Sequence, residues 1–213
     1  MRTPILSLAV ILGAASAGWA QETCLEQMRF PAVGRWAQYQ ALYNKTDPHT
    51  IRYAVVGAEK RAGKDLMWLE LRMSGGKKDA NVIYQMLVPG SVAEIGKVEE
   101  IIMKPGEKPA MKMDGMMLNM IRGQMEKQSF LNDACKDVTL VGAERLTLPA
   151  GKFQTQHFRS AKYGSDTWLT ANVPFALVKS VGKNYEMTLV SYGRGAKSSI
   201  TEVPQSMGGK RPK

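Results

Sequence analysis

Residues 141–180 read VGAERLTLPAGKFQTQHFRSAKYGSDTWLTANVPFALVKS. Two phrases organise the stretch. One is Leu148-Pro149-Ala150-Gly151-Lys152-Phe153; the other is Trp168-Leu169-Thr170, followed by Val173-Pro174-Phe175 and Leu177-Val178-Lys179. Each sets a short β-prone run against a proline or a glycine. Proline removes a ladder donor and glycine tolerates positive φ, so both belong at strand ends. The stretch predicts an antiparallel meander. Strands fall near 138–148, 153–160, 166–170, 176–181 and 185–192, with Gly142 marking a bulge.

Working upstream, 33–43 reads as a strand with Trp36 and Tyr39 as large anchors, and 51–58 as a second. Ala62-Gly63-Lys64 is a turn. Residues 65–73 alternate most clearly: Met67, Leu69, Leu71 and Met73 share one face, and Trp68, Glu70 and Arg72 the other. That pattern predicts a half-buried antiparallel strand. Gly75-Gly76-Lys77-Lys78-Asp79 is a turn, and 81–88 is a strand stopped by Pro89-Gly90. Residues 92–103 read as a strand pair or one long bent strand, with a helix over 98–103 as the alternative. Residues 104–109 form a basic loop with two prolines.

The convincing helix covers 114–130, with Asp114 as its N-cap. Met116, Met117, Met120 and Ile121 fall on one side, widened by Leu118 and Met125. Asn119, Arg122, Glu126 and Lys127 fall opposite. A shorter helical turn is expected around residues 25–28, ended by Pro31, and a last short strand over 198–203. The sum is an α+β domain: about ten strands in a single strongly curved antiparallel sheet, covered by one or two helices.

Residues 1–20 read as a secretory signal peptide. Arg2 supplies the charged start, 5–14 the apolar run, and Gly18-Trp19-Ala20 the preferred cleavage site. The domain proper is then 21–203, and 204–213 is a disordered basic tail. Export predicts a periplasmic location. The two cysteines, Cys24 and Cys135, are an even count in an oxidising compartment and predict a disulfide closing a loop of about 110 residues. Net charge is +10. In an exported chain this points away from nucleic acid and towards an anionic membrane surface, or simple solubility.

Catalytic signatures are lacking. His49 sits in the turn Thr46-Asp47-Pro48-His49 and His157 in a strand. No Gly-x-Ser-x-Gly elbow, Walker loop or dinucleotide fingerprint occurs. Glu99 and Glu100 point to opposite faces on a strand and make a poor acid–base pair. Gly193-Arg194-Gly195 reads as a turn. The chain is expected to be no enzyme and to hold no cofactor.

Methionine is the unusual feature. Fourteen occur, seven of them between Met103 and Met125. A methionine-lined face adapts to varied apolar ligands, and thioethers also bind Cu(I). Plain core filling accounts for the same pattern. An apolar ligand site and a copper site therefore stand as alternatives, beside a third in which the domain is an envelope scaffold.

With the strands in place, the chain resembles the periplasmic lipoprotein-carrier superfamily (LolA/LolB-like) and related exported domains. The residues that carry the likeness are Gly142-Ala143-Glu144, Leu148-Pro149-Ala150-Gly151-Lys152-Phe153, Trp168-Leu169, Val173-Pro174 and Leu177-Val178-Lys179. The resemblance implies an incomplete β-barrel whose hollow, covered by helices, holds acyl chains or other apolar groups. It implies that Met67, Leu69, Leu71 and Met73, with Trp36, line the concave side. Met116, Met117, Met120 and Ile121 would then form the lid. The partners it implies are an apolar or acylated ligand and a lipoprotein, bound by a monomer.

Overall fold

The computed structural model describes residues 16–44, 46–76, 81–127 and 134–206. Two helices and twelve strands occur among them. Helix α1 (Ser16–Gln27) precedes β1 (Trp36–Tyr43), β2 (Asp47–Arg61), β3 (Lys64–Gly75) and β4 (Val82–Pro89). A 3₁₀ turn, Val92–Lys97, leads to β5 (Glu100–Pro105), β6 (Met111–Met113) and α2 (Gly115–Lys127). Then follow β7 (Thr139–Leu148), β8 (Gly151–Ser160), β9 (Ser165–Leu169), β10 (Leu177–Gly182), β11 (Tyr185–Gly193) and β12 (Gln205–Ser206).

All twelve strands join one sheet in the order β12-β6-β5-β4-β3-β2-β1-β11-β10-β9-β8-β7. Only the β12–β6 pair is parallel. The meander expected from 141–180 is present as the hairpin run β7 to β11. Gly142 takes φ +145° and the register shifts between Leu140 and Gly142, which is the expected bulge. The sheet departs from expectation in number and shape: twelve strands instead of about ten, open and not strongly curled.

Two cross-strand rows show how the inner face is built. Ala37, Tyr53, Leu71, Tyr84, Met103 and Met111 stand opposite one another in sequence across β1 to β6. Beside them run Val55, Leu69, Met86, Ile101 and Met113. Directly opposed side chains are the unit of sheet stabilisation, and these rows are almost wholly apolar. Cys24 of α1, then Met28 and Phe30 just after it, close over the core. The Cys24–Cys135 disulfide forms, and the Met28 thioether sulfur lies 3.4 Å from Cys135 Sγ.

The outer face is not open to solvent all along β3. Glu70 has no exposed surface, so the strand is buried on both sides at that position, while Arg72 on the same face stays exposed. The cover over Glu70 is the segment 196–203, predicted to end in a strand but running instead as a strap. Ser199 donates to Glu70 from both its backbone N (2.8 Å) and its Oγ (2.7 Å). Gln85 Nε2 adds a third bond at 2.8 Å. Ile200 packs with Ile102 and Ala110, against which Trp68 and Ile83 lean. At its ends the strap is fixed by Ala196 N to Gly34 O (2.9 Å) and Gln205 N to Ala110 O (2.8 Å).

Other expectations shift. Residues 92–103 are neither one bent strand nor a helix at 98–103. The helical turn comes earlier, at Val92–Lys97, where Pro89 and Gly90 have already ended β4. Strand β6 was not anticipated. Asp114 does precede α2, its carbonyl accepts from Leu118 N at 3.5 Å, and its carboxylate accepts a hydrogen bond from Ser206 Oγ. Gln205 and Ser206, expected in a disordered tail, form β12. Helix α1 begins at Ser16 and runs through the expected cleavage point after Ala20. Residues 1–15 of the expected signal peptide, 77–79 of the expected turn, 128–130 of the expected helix and 207–213 of the expected tail lie outside the described residues. So does the side chain of Met125.

Candidate functional site

The strand assigned to the concave wall behaves as its alternation predicts. Met67, Leu69, Leu71 and Met73 all join the main core cluster on the inner face. Leu69 is fully buried, whereas Met67, Leu71 and Met73 are half-buried. The difference follows the rows. Leu69, Met86, Ile101 and Met113 are buried, while Leu71, Tyr84, Met103 and Met111 remain partly exposed. The inner face is therefore sealed along one row and opens along the next.

Trp36 is not on this wall. Ala37, Tyr39 and Ala41 face the core, so Trp36, one residue out of phase, lies on the other side of β1. There its Nε1 donates to Arg194 O at 3.2 Å, and Arg52 sits 4.6 Å above its ring. The ring lies across Gly193, where an added Cβ would come within 2.9 Å of the indole. Only glycine fits under it.

Helix α2 is turned differently from the sequence assignment. Leu118 and Ile121 pack on the core, but Met116, Met117 and Met120 are exposed, Met116 by 88%. Arg122 fixes this orientation by donating from Nε to Val98 O (2.5 Å) and from Nη2 to Glu99 O (3.3 Å). The methionine cluster, continuous in sequence, thus divides in space: Met113 is buried in the sheet, and Met116, Met117 and Met120 stand in solvent. Among the described residues no group of three His, Cys, Asp or Glu side chains could hold a metal ion.

Two sites escaped the sequence reading. The first surrounds His157, whose Nε2 is 2.6 Å from Asp166 Oδ1 and whose Nδ1 is 3.3 Å from Glu144 Oε2. Trp168, its direct partner across β8 and β9, stacks on the imidazole at 4.4 Å and donates to Glu144 Oε2 at 2.7 Å. Burial would raise the Asp166 pKa, but hydrogen bonds from Arg159 and His157 outweigh it and hold the carboxyl below its usual range. The cluster ties three strands together.

The second is a cleft of about 760 Å³ between the C-terminal end of α1 and the β9–β10 turn. Its apolar floor includes Phe30, Val33, Val173 and Phe175, and Arg29, Arg35 and Arg194 border it. Phe175 meets Phe30 edge-on at 6.4 Å and Tyr53 at 5.8 Å. The Gly193-Arg194-Gly195 turn was legible, but nothing in its local sequence says that Arg194 comes beside Arg35.

No family model matches the chain, and no curated protein does. Among solved structures, the chain is similar to a candidate exported protein with YmcC-like fold from Bacteroides fragilis NCTC 9343. There the identity is 12% and the TM-score 0.42, over 79% of this chain and 100% of that one. It is also similar to a candidate lipoprotein from Parabacteroides distasonis ATCC 8503, with 12% identity and a TM-score of 0.36, over 77% and 97%. MucB aligns at 11% identity and a TM-score of 0.39, over 88% of this chain and 62% of its own. These are distant likenesses, all with TM-scores below 0.5. The disulfide is itself consistent with an extracytoplasmic location, where such bonds persist. No helix among the described residues is long and apolar enough to cross a membrane.

Proposed function

We propose that this protein is a non-enzymatic periplasmic binding protein that holds an acyl chain or similar apolar ligand on the inner face of its sheet. One observation carries the reading: the apolar row Leu71, Tyr84, Met103 and Met111 is only half-buried beside a fully buried one. Met103 and Met111 within that row supply an adaptable surface, because unbranched thioether side chains repack around different shapes. Burying an acyl chain contributes about 0.8 kcal/mol per methylene, so part of a chain suffices for useful affinity. Release needs no chemistry, only an acceptor that binds the chain more tightly.

The test is solvent extraction of the purified protein with mass spectrometry, followed by titration of the delipidated protein with a fluorescent fatty acid. Saturable binding, weakened about tenfold or more by Leu71→Asp and unaffected by Arg145→Gln on the far edge strand β7, is expected. An extract free of lipid together with no saturable binding would overturn the reading.

A further inference from the structure

The cleft at the end of α1 is a different place from the half-buried row, and its chemistry is different. Three guanidinium-bearing residues, Arg29, Arg35 and Arg194, border it against a single carboxylate, Glu26. Arg29 Nε is engaged with Glu26 O at 2.8 Å. Among the described residues neither the Arg35 nor the Arg194 guanidinium has an acidic partner or a hydrogen bond, and Arg35 is only half-exposed. Cationic groups gathered at a concave site without counter-charges favour an anion there, and guanidinium forks suit a carboxylate.

The walls are held in place before any ligand arrives. Gly34 N donates to Val55 O (2.7 Å), Val55 N to Arg35 O (3.0 Å), and Ala196 N to Gly34 O (2.9 Å). Together with the Trp36–Arg194 bond, these fix the two arginine-bearing segments against each other. The facing wall is a tight turn in which Ala176 N donates to Val173 O (3.1 Å) and Thr170 N to Ala176 O (2.8 Å). Phe175 and Ala176 in it take φ +63° and +58°. The left-handed conformation costs a non-glycine residue roughly 1–2 kcal/mol. Two in succession, both buried, are held by the turn's own hydrogen bonds, and such strain gathers at binding sites. The turn places Phe175 in the lining of the cleft, against Phe30 and Tyr53. A volume near 760 Å³ lies within the ordinary range for small-molecule sites, about 300–1,000 Å³.

We propose that this cleft binds a carboxylate-bearing amphiphile, with the head between Arg35 and Arg194 and the apolar body on Phe30 and Phe175. The site is independent of the acyl-binding row. Its lining begins at Glu26, beyond the expected cleavage point, so it belongs to the chain before and after processing.

Isothermal titration of the delipidated full chain with decanoate, decanol and inorganic phosphate tests the assignment. Decanoate is expected to bind saturably, with decanol and phosphate each at least tenfold weaker. Arg35→Gln and Arg194→Gln should each weaken decanoate about tenfold or more, as loss of a charge-assisted bond predicts, with Arg→Lys recovering part. Arg145→Gln, which removes one charge from the far edge strand β7, should change nothing. Circular dichroism and melting of each variant establish that it is folded. Equal binding of decanol, equal binding of phosphate, or no binding at all would each overturn the proposal. So would decanoate binding that survives both arginine variants and is lost in Leu71→Asp, an outcome that leaves the inner-face site standing.

Discussion

Glu70 is a carboxylate with no solvent exposure, and its three donors decide what it does. Gln85 Nε2 and both the N and Oγ of Ser199 converge on it, so its charge is met by hydrogen bonds from two other elements. Glu70→Ala removes the acceptor shared by those donors, leaving Gln85 only Ser198 Oγ, at a cost of about 1–3 kcal/mol in addition to the lost packing. Glu70→Gln keeps the shape and one acceptor oxygen, so it should lose less. Urea unfolding of the two variants checks this, with alanine expected to fall well below glutamine. The sequence could place Glu70 on the face of β3 opposite Met67, Leu69, Leu71 and Met73, but not its burial. Ser199 lies 129 residues away, and alternation says which side a residue faces, not what later covers that side. Trp36 was misplaced for a related reason: a large aromatic in a strand suggests core, yet the phase of β1 is set by Ala37, Tyr39 and Ala41.

At the level of elements, the β2–β3 hairpin closes on the two-residue loop Ala62-Gly63, with φ of +47° and +79°. Two positive values mark the I′ class, which favours Asn-Gly over Ala-Gly. Ala62 is exposed, so Ala62→Asn should stabilise by about 0.5–1 kcal/mol, read as a raised urea midpoint at unchanged slope. That a turn sits there was plain from the glycine; that it strains an alanine was not. The strap makes a second prediction. Lys104 Nζ, 2.7 Å from Glu202 Oε1, is the chief reason the Glu202 pKa falls from 4.5 to about 2. Glu100 is also lowered: burial opposes the shift, but bonds from Lys112 and Arg61 prevail. Carboxyls with depressed folded pKa values stabilise above the unfolded value and lose that contribution as pH falls through the folded one. Amides of 196–203 should therefore lose hydrogen-exchange protection between pH 4.5 and 2, before those of β2 and β3. Glu202→Gln should remove much of that pH dependence by being loosened already at neutral pH. Helix α2 shows where periodicity stops. Its apolar arc was broad enough to seat on either Leu118 and Ile121 or the three methionines, and the bonds of Arg122 to Val98 and Glu99 select the first.

On the scale of the whole molecule the disulfide organises the chain. Cys24 on α1 and Cys135 before β7 are 111 residues apart in sequence, and between them lie β1 to β6 and α2. The chain then returns through β7 to β11, and β11 pairs with β1, so the two halves of the sheet meet at strands far apart in sequence. Cysteine parity and the expected export made the bond legible. That it pins α1 over the core, with Met28 against it, depends on packing that no spacing reveals. In the chain-entropy account a loop of this length contributes roughly 4–5 kcal/mol, chiefly by restricting the unfolded chain. Cys24→Ser with Cys135→Ser should lower stability towards that ceiling. The urea slope should also rise, because the unfolded chain is freed to expose more surface. An unchanged slope with a small loss would place the effect in native packing alone. The same double variant bears on the cleft. Phe30 and Arg29 follow directly from α1, so freeing the helix loosens one wall while Arg35, Arg194 and the Phe175 turn keep their own hydrogen bonds. Decanoate affinity should then fall in the reduced protein at temperatures where β1 to β11 remain folded, with the melting of the sheet and the loss of binding separated on one thermal axis.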